Sequence, residues 1–273
     1  MSDISLELQT ELMTVAYRLA DAARPIALRH FREHRTLVDN KRPAGFDPVT
    51  IADREIEQAF RKVLSKSRPD DAVMGEEFED TEGTSGLTWI VDPIDGTRGY
   101  ISGMPTWGVL VAVADASGPL FGIIDQPYTG ERFVGGFGSA VLHHQGASGS
   151  LDTRHCGSLA NAVLYSTFPE VGTETERRAF DAVSGAVKLT RFGADCYAYA
   201  MVAAGQVDLV IEAGLNAYDV AAPIAVIEQA GGIVTDWTGG PATGGGRIIA
   251  AGNADIHAEA IAILQKSIAA DGD

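Results

Sequence analysis

The stretch Trp89-Ile-Val-Asp-Pro-Ile-Asp-Gly-Thr97 runs an apolar, strand-like segment directly into two carboxylates, a glycine and a hydroxyl. Asp92 and Asp95 are close enough in sequence for one turn to aim both at a common point. Pro93 stiffens that turn and frees a carbonyl such as that of Ile94 to act as a further oxygen ligand. Hard oxygen donors suit Mg²⁺ and fit zinc poorly. If the chain turns helical at Gly96, its first N–H groups and Thr97 make an anion cradle beside the metal. The structural alternative for the same residues is a capped turn with no ligand.

Three other acidic clusters favour the functional reading. Gly75-Glu76-Glu77 follows another expected strand, Asp47-Pro-Val-Thr-Ile-Ala-Asp53 opens an expected helix, and Asn216-Ala-Tyr-Asp219 opens a second one ahead of a Gly-Gly exit. The order and wording of these motifs, with Tyr-Asp-Val-Ala-Ala and Glu-Gln-Ala-Gly-Gly-Ile-Val-Thr-Asp downstream, resemble the inositol monophosphatase superfamily of magnesium-dependent phosphatases over most of the chain. The resemblance implies that Glu76, Asp92 and the Ile94 carbonyl hold one metal, and that Asp92, Asp95 and Asp219 hold a second. Glu76 is also implied to touch a third ion, so two or three Mg²⁺ ions are expected per site. Thr97 and Asp47 match the pair that orients and deprotonates the attacking water, with Gly96 and Thr97 receiving the phosphate.

Within the superfamily, Gly96-Thr-Arg-Gly-Tyr-Ile-Ser-Gly-Met-Pro-Thr-Trp-Gly108 resembles the histidinol-phosphate phosphatase branch, which implies a role in histidine biosynthesis. That substrate carries an ammonium group and an imidazole that protonates near neutral pH, so an acidic pocket suits it. Asp195 and Glu212 are the candidates to bind it, with Arg191 or Asn216 completing the wall. The structural alternatives are a helix N-cap for Asp195 and a surface strand end for Glu212. Inositol 1-phosphate and fructose 1,6-bisphosphate are the other substrates considered. A protein that binds metal or a phosphorylated ligand without turnover is the rival from another class.

Positioning these residues requires helices and sheets in alternation. Apolar spacing predicts a helix from Ile4 to Phe31 and a second from Pro48 or Val49 to Leu64, with Asp47 and Thr50 as capping candidates. Strands are expected at Ala72–Met74, Trp89–Val91, Trp107–Ala114, Leu120–Ile124, Arg132–Val134 and Ala140–Leu142, the later ones antiparallel. Small polar residues from Gly146 to Ser150 read as a loop between two halves, residues 1–146 with the metal motifs and 147–273 with the specificity residues and Asp219. Strands and helices then alternate through the second half. The expected fold class is layered α/β, and the resemblance makes it the alternating αβαβα sandwich of that superfamily. Lys41, Arg42, Pro43 and Gly45 suggest a loop that closes over the site.

Bulk composition narrows the partners. The 273 residues are 45% hydrophobic, enough for a sizeable core, and carry net charge −16 from 37 acidic against 21 basic side chains. That field repels nucleic acid and anionic membranes, and no apolar run reaches the roughly 20 residues of a membrane span. The acidic N-terminal stretch is the wrong chemistry for a leader, so a soluble cytoplasmic protein is expected. The two cysteines, Cys156 and Cys196, read as core residues. The expected partner is a small phosphate monoester, and the resemblance adds a homodimer.

Overall fold

The computed structural model describes residues 4–33, 38–40 and 48–270, so Asp47 and the expected closing loop at 41–46 lie outside the described residues. Leu6–His30 forms helix α1, which buries Leu12, Val15, Ala16, Leu19, Ala23 and Ala27 along one face. Short strands Val38–Asn40 (β1) and Pro48–Thr50 (β2) pair antiparallel. Helix α2 spans Ile51–Ser67. It starts later than the apolar pattern suggested because Thr50 is extended and forms a reciprocal cap with Asp53. The Thr50 hydroxyl accepts from Ala52 N at 3.1 Å, and the Asp53 carboxylate accepts from Thr50 N at 2.8 Å.

Seven strands make the first sheet: Ala72–Gly75 (β3), Thr88–Asp95 (β4), Gly108–Asp115 (β5), Gly118–Gln126 (β6), Glu131–Gly136 (β7), Ser139–His144 (β8) and Ala147–Ser150 (β9), in sequence order across the sheet. β3 runs parallel to β4, and every later pair is antiparallel. One short helix, Thr97–Ile101 (α3), interrupts this series after β4. Ala147–Ser150, whose composition reads as a loop, is an edge strand. All four residues are exposed, so no apolar alternation marks it.

The second sheet mixes parallel and antiparallel pairs. Its strands are Val163–Ser166 (β10), Leu189–Phe192 (β11), Leu209–Leu215 (β12), Ile233–Asp236 (β13) and Gly246–Ala251 (β14), in spatial order β11-β10-β12-β14-β13. Helices Glu174–Ser184 (α4), Asp195–Ala203 (α5), Ala217–Gln229 (α6) and Ala254–Ala270 (α7) connect or follow them.

Alternation along the strands sorts the apolar side chains into three cores. Val109, Val111 and Val113 of β5 face α1 and α2, whereas Leu110 and Ala112 join the core containing α5 and α6. On the other side of those helices, Val210 of β12 and Ile248 and Ala250 of β14 belong to the same middle core. Leu209, Ile211, Ile249 and Ala251 point away, into a third core with Phe180 of α4 and Ile256 and Leu264 of α7. The result is the expected αβαβα sandwich, with both cysteines buried.

Close approach of α6 to the first sheet depends on a cross-strand pair of glycines. Gly122 of β6 faces Gly135 of β7. A Cβ at Gly122 would lie 2.7 Å from Ala222 O, and one at Gly135 would lie 2.4 Å from Val226 Cα. Backbone cannot yield as a flexible side chain can, so α6 would have to lift off the sheet. Gly135→Ala is therefore expected to lower stability by about 1–3 kcal/mol in urea denaturation. Gly149→Ala, on open β9, is expected to leave it unchanged.

Candidate active site

Asp92 and Asp95 lie three residues apart on one strand, a spacing that would send their side chains to opposite faces of a regular sheet. A bulge prevents this. Asp92 pairs with Leu110 and Asp95 with Gly108, so β4 spends one more residue than β5 between the two pairs and the register shifts. Pro93 sits in the bulge, where its missing N–H breaks no ladder bond. The Ile94 N–H instead donates to Asp92 Oδ1 at 3.0 Å.

The third carboxylate arrives from the second half of the chain. Asp219 lies in the first turn of α6 and accepts from Asn216 N at 2.6 Å. The seating of α6 against the paired glycines carries this turn toward β4. One oxygen from each of Asp92, Asp95 and Asp219 then lies within 4.8 Å of the others. Helix α5 also reaches across: Cys196 N donates to Asp95 Oδ2 at 2.6 Å. This link joins the two halves at the cluster and is invisible in sequence, because the donor is a backbone amide.

Burial and mutual repulsion raise the proton affinity of the group. Asp92 is pushed well above the carboxylate range by burial first, then by Glu76, Asp95 and Asp219. Asp95 rises likewise through burial, Asp195 and Asp219. Burial lifts Asp219 to about 7, against the hydrogen bond from Asn216. Asp53, with no exposed surface, is raised to about 6 by burial, with Glu76 adding to the rise. Its Oδ1 has no hydrogen-bond partner. Oxygen donors alone, crowded and deprived of water, with an orphaned buried carboxylate oxygen beside them, fit a hard divalent cation. Asp53 closes the Asp47-to-Asp53 motif, and its burial beside the cluster was not evident from its place in the sequence.

Beside the cluster opens a cavity of 290 Å³, lined by Glu76, Asp95, Gly96, Thr97, Asp195, Glu212, Asn216 and Asp219 among others. Thr97 Oγ1 donates to the Ile94 carbonyl at 3.2 Å. Gly96, at φ 82°, begins the one-turn helix α3. A Cβ there would meet the Asp195 side chain at 2.7 Å. Asp195 does not serve as the N-cap of α5, a position held by Ala194. Asp195 instead takes the left-handed region at φ 45° and accepts from Thr106 Oγ1 at 3.3 Å. Backbone strain of that kind, about 1–3 kcal/mol, persists where the surroundings dictate it. Burial and the charge of Glu212 raise Asp195 to about 6.

Glu212 is no surface strand end. It is 6% exposed, accepting from Thr167 N at 2.7 Å through Oε1 and from Tyr199 OH at 3.0 Å through Oε2. Burial raises its proton affinity. Arg191, by contrast, is exposed on edge strand β11 and is not among the cavity-lining residues. Phe168 and Arg98 also line the cavity, with the guanidinium 4.6 Å from the ring centroid. Their sequence context gave no sign of this.

The profile of the inositol monophosphatase family matches residues 8–269. The chain belongs to the inositol monophosphatase family. Members of this family are Mg²⁺-dependent phosphatases acting on small phosphate monoesters. Relatives include the bifunctional phosphatase IMPL2 of Arabidopsis thaliana, 37% identical over 97% of this chain and 77% of that protein. A histidinol-phosphatase of Streptomyces coelicolor is 33% identical over 93% and 97% of the two chains. An inositol monophosphatase from Zymomonas mobilis superposes with TM-score 0.82 at 36% identity, over 96% of this chain and 100% of its own. Family membership accounts for the αβαβα sandwich. Among the described residues no helix is long and apolar enough to cross a membrane.

Proposed function

We propose that this chain hydrolyses histidinol phosphate to histidinol and phosphate. The observation that carries this reading is a single cavity lined by two pairs of acids, Asp95 and Asp219 of the carboxylate cluster and, beside them, Asp195 and Glu212. The first pair suits cations that receive a phosphoryl group. The second suits the ammonium and imidazole of the alcohol, since its buried carboxylates hold their charge at lower cost with a cation beside them. A neutral polyol offers no such compensation.

In this reading Glu76, Asp92 and the Ile94 carbonyl hold one Mg²⁺, and Asp92, Asp95 and Asp219 hold another. Bound Mg²⁺ supplies Lewis acidity toward the phosphoryl oxygens and a lowered water pKa. Gly96 and Thr97 orient the phosphate against these carboxylates. Thr97 and Asp47 align the attacking water and take its proton, while Asn216 holds Asp219 in place through the first turn of α6. Glu212, its orientation fixed by Thr167 and Tyr199, and Asp195 grip the leaving alcohol.

A phosphate-release screen over histidinol phosphate, inositol 1-phosphate and fructose 1,6-bisphosphate, with Mg²⁺ supplied and then chelated, tests the proposal. Histidinol phosphate is expected to give the highest kcat/KM, and chelation to abolish release. Equal or better turnover of the other two overturns the substrate, and no release from any monoester overturns the enzyme. Glu212→Gln keeps the shape of the group and removes its charge. It is expected to raise KM for histidinol phosphate about tenfold or more, the worth of one charged hydrogen bond, with little change in kcat.

A further inference from the structure

Glu76 follows β3 on a segment crowded with acids, Glu76, Glu77, Glu79, Asp80 and Glu82. It lines the cavity and contributes to the raised proton affinities of Asp92 and Asp53. Like charges on both sides drive such a segment away from the cluster unless something holds it.

Two side chains of α2 grip it from below. Glu57 has no exposed surface, yet it is ionically paired with Arg61 one turn along, Nη2 to Oε1 at 2.8 Å. Its other oxygen accepts from Glu77 N at 2.8 Å. Arg61 continues outward, donating from Nη1 to Thr81 Oγ1 at 3.0 Å and from Nη2 to Phe78 O at 3.2 Å. On the other flank of Glu76, a Cβ at Gly75 would lie 2.3 Å from Glu57 Oε1. The carboxylate thus lies flush against the backbone just before Glu76 and bonds the amide just after it. A buried ion pair is a weak source of stability, because an apolar pair of similar volume often does as well. What an apolar pair cannot do is hold three separate points of the acidic segment.

We propose that Glu57 and Arg61 are a positioning pair that fixes Glu76 for cation binding, so that α2 sets the Mg²⁺ affinity of a site it does not itself occupy. The inference rests on the reading of Glu76 as a cation ligand. Outer partners that orient ligating groups are typically worth about 10–100-fold in metal affinity. Because the pair acts through Glu76 alone, its effect vanishes once Glu76 can no longer bind.

Calorimetric titration of the metal-free protein with Mg²⁺ tests this, using wild type, Arg61→Met, Arg61→Lys, Glu76→Gln and the Arg61→Met/Glu76→Gln double variant. Circular dichroism melting of each identifies the variants that fold. Arg61→Met is expected to weaken Mg²⁺ binding about tenfold or more, and Arg61→Lys to do so less, since it keeps the charge and loses the fork. The double variant is expected to bind no more weakly than Glu76→Gln alone. Wild-type affinity in a folded Arg61→Met, or additive losses in the double variant, overturns the positioning role. If Arg61→Met does not fold, Arg61→Lys takes its place in the cycle under the same criteria. Wild-type affinity in Glu76→Gln instead overturns the ligand assignment beneath it, and the two failures are separately visible.

Discussion

Asp95→Asn is expected to lower kcat for phosphate release by about a thousandfold or more at saturating Mg²⁺, the scale of several kcal/mol of transition-state charge stabilisation. The substitution is isosteric, and an amide oxygen can still accept the hydrogen bond that Cys196 N gives to Asp95. The fold therefore keeps its link between α5 and β4, and one charge leaves a cluster already raised well above the carboxylate range by burial and neighbouring acids. Melting of the metal-free variant is expected at or above the wild-type temperature, a result that separates lost catalysis from lost structure. Near-wild-type turnover would remove Asp95 from the mechanism.

Withdrawing Mg²⁺ is expected to make stability fall as pH rises, the reverse of the usual behaviour of buried, paired carboxylates. The sign follows from the direction of the shifts. Unfolded aspartates titrate near pH 3.9, whereas burial holds Asp53 at about 6 and Asp219 at about 7 in the fold. A raised carboxylate binds its proton more tightly when folded, so its contribution is complete below about pH 4 and is lost as pH climbs through 6 to 7. Bound Mg²⁺ takes over where protons leave, and its affinity should rise across the same window. Melting of chelated protein at pH 5.5 and 8 should show the drop. Mg²⁺ at a hundred times its Kd should add about 2.7 kcal/mol at the higher pH and much less at the lower. A metal-free protein that gains stability from pH 5.5 to 8 contradicts the raised values.

The parts of this site that sequence revealed are those in which chemistry and local structure share a few consecutive residues. Asp92, Pro93 and Asp95 announce themselves because a strand that ends in acids has few purposes. Asn216 and Asp219 do so because a cap and a carboxylate of the cluster coincide at the start of α6. The layered α/β class was legible from helical spacing and short apolar runs, whereas the αβαβα arrangement was implied by the family resemblance. Val109 to Val113 is apolar throughout, and only the fold assigns Val109, Val111 and Val113 to one core and Leu110 and Ala112 to another. Long-range geometry was not legible. The bulge that turns Asp92 and Asp95 to one side, the Cys196 amide on Asp95 and the burial of Glu212 beneath Tyr199 all depend on which elements meet. Arg191 misled through proximity in sequence to Asp195. Gly193 at φ 84° and Asp195 at φ 45° turn the chain between them, leaving Arg191 on the sheet edge while Asp195 enters the cavity. Asp53, named in sequence only as the end of the Asp47-to-Asp53 motif, was given no role because its burial beside Glu76 and Asp92 depends on how α2 packs.

Crystals of the protein soaked in Mn²⁺, with diffraction collected for manganese anomalous scattering, bear most directly on whether these carboxylates exist to hold cations. The structure predicts an anomalous peak in coordination contact with oxygens of Asp92, Asp95 and Asp219, and its loss in Asp95→Asn. Saturating Mn²⁺ with no peak among these three side chains would contradict the account at its root.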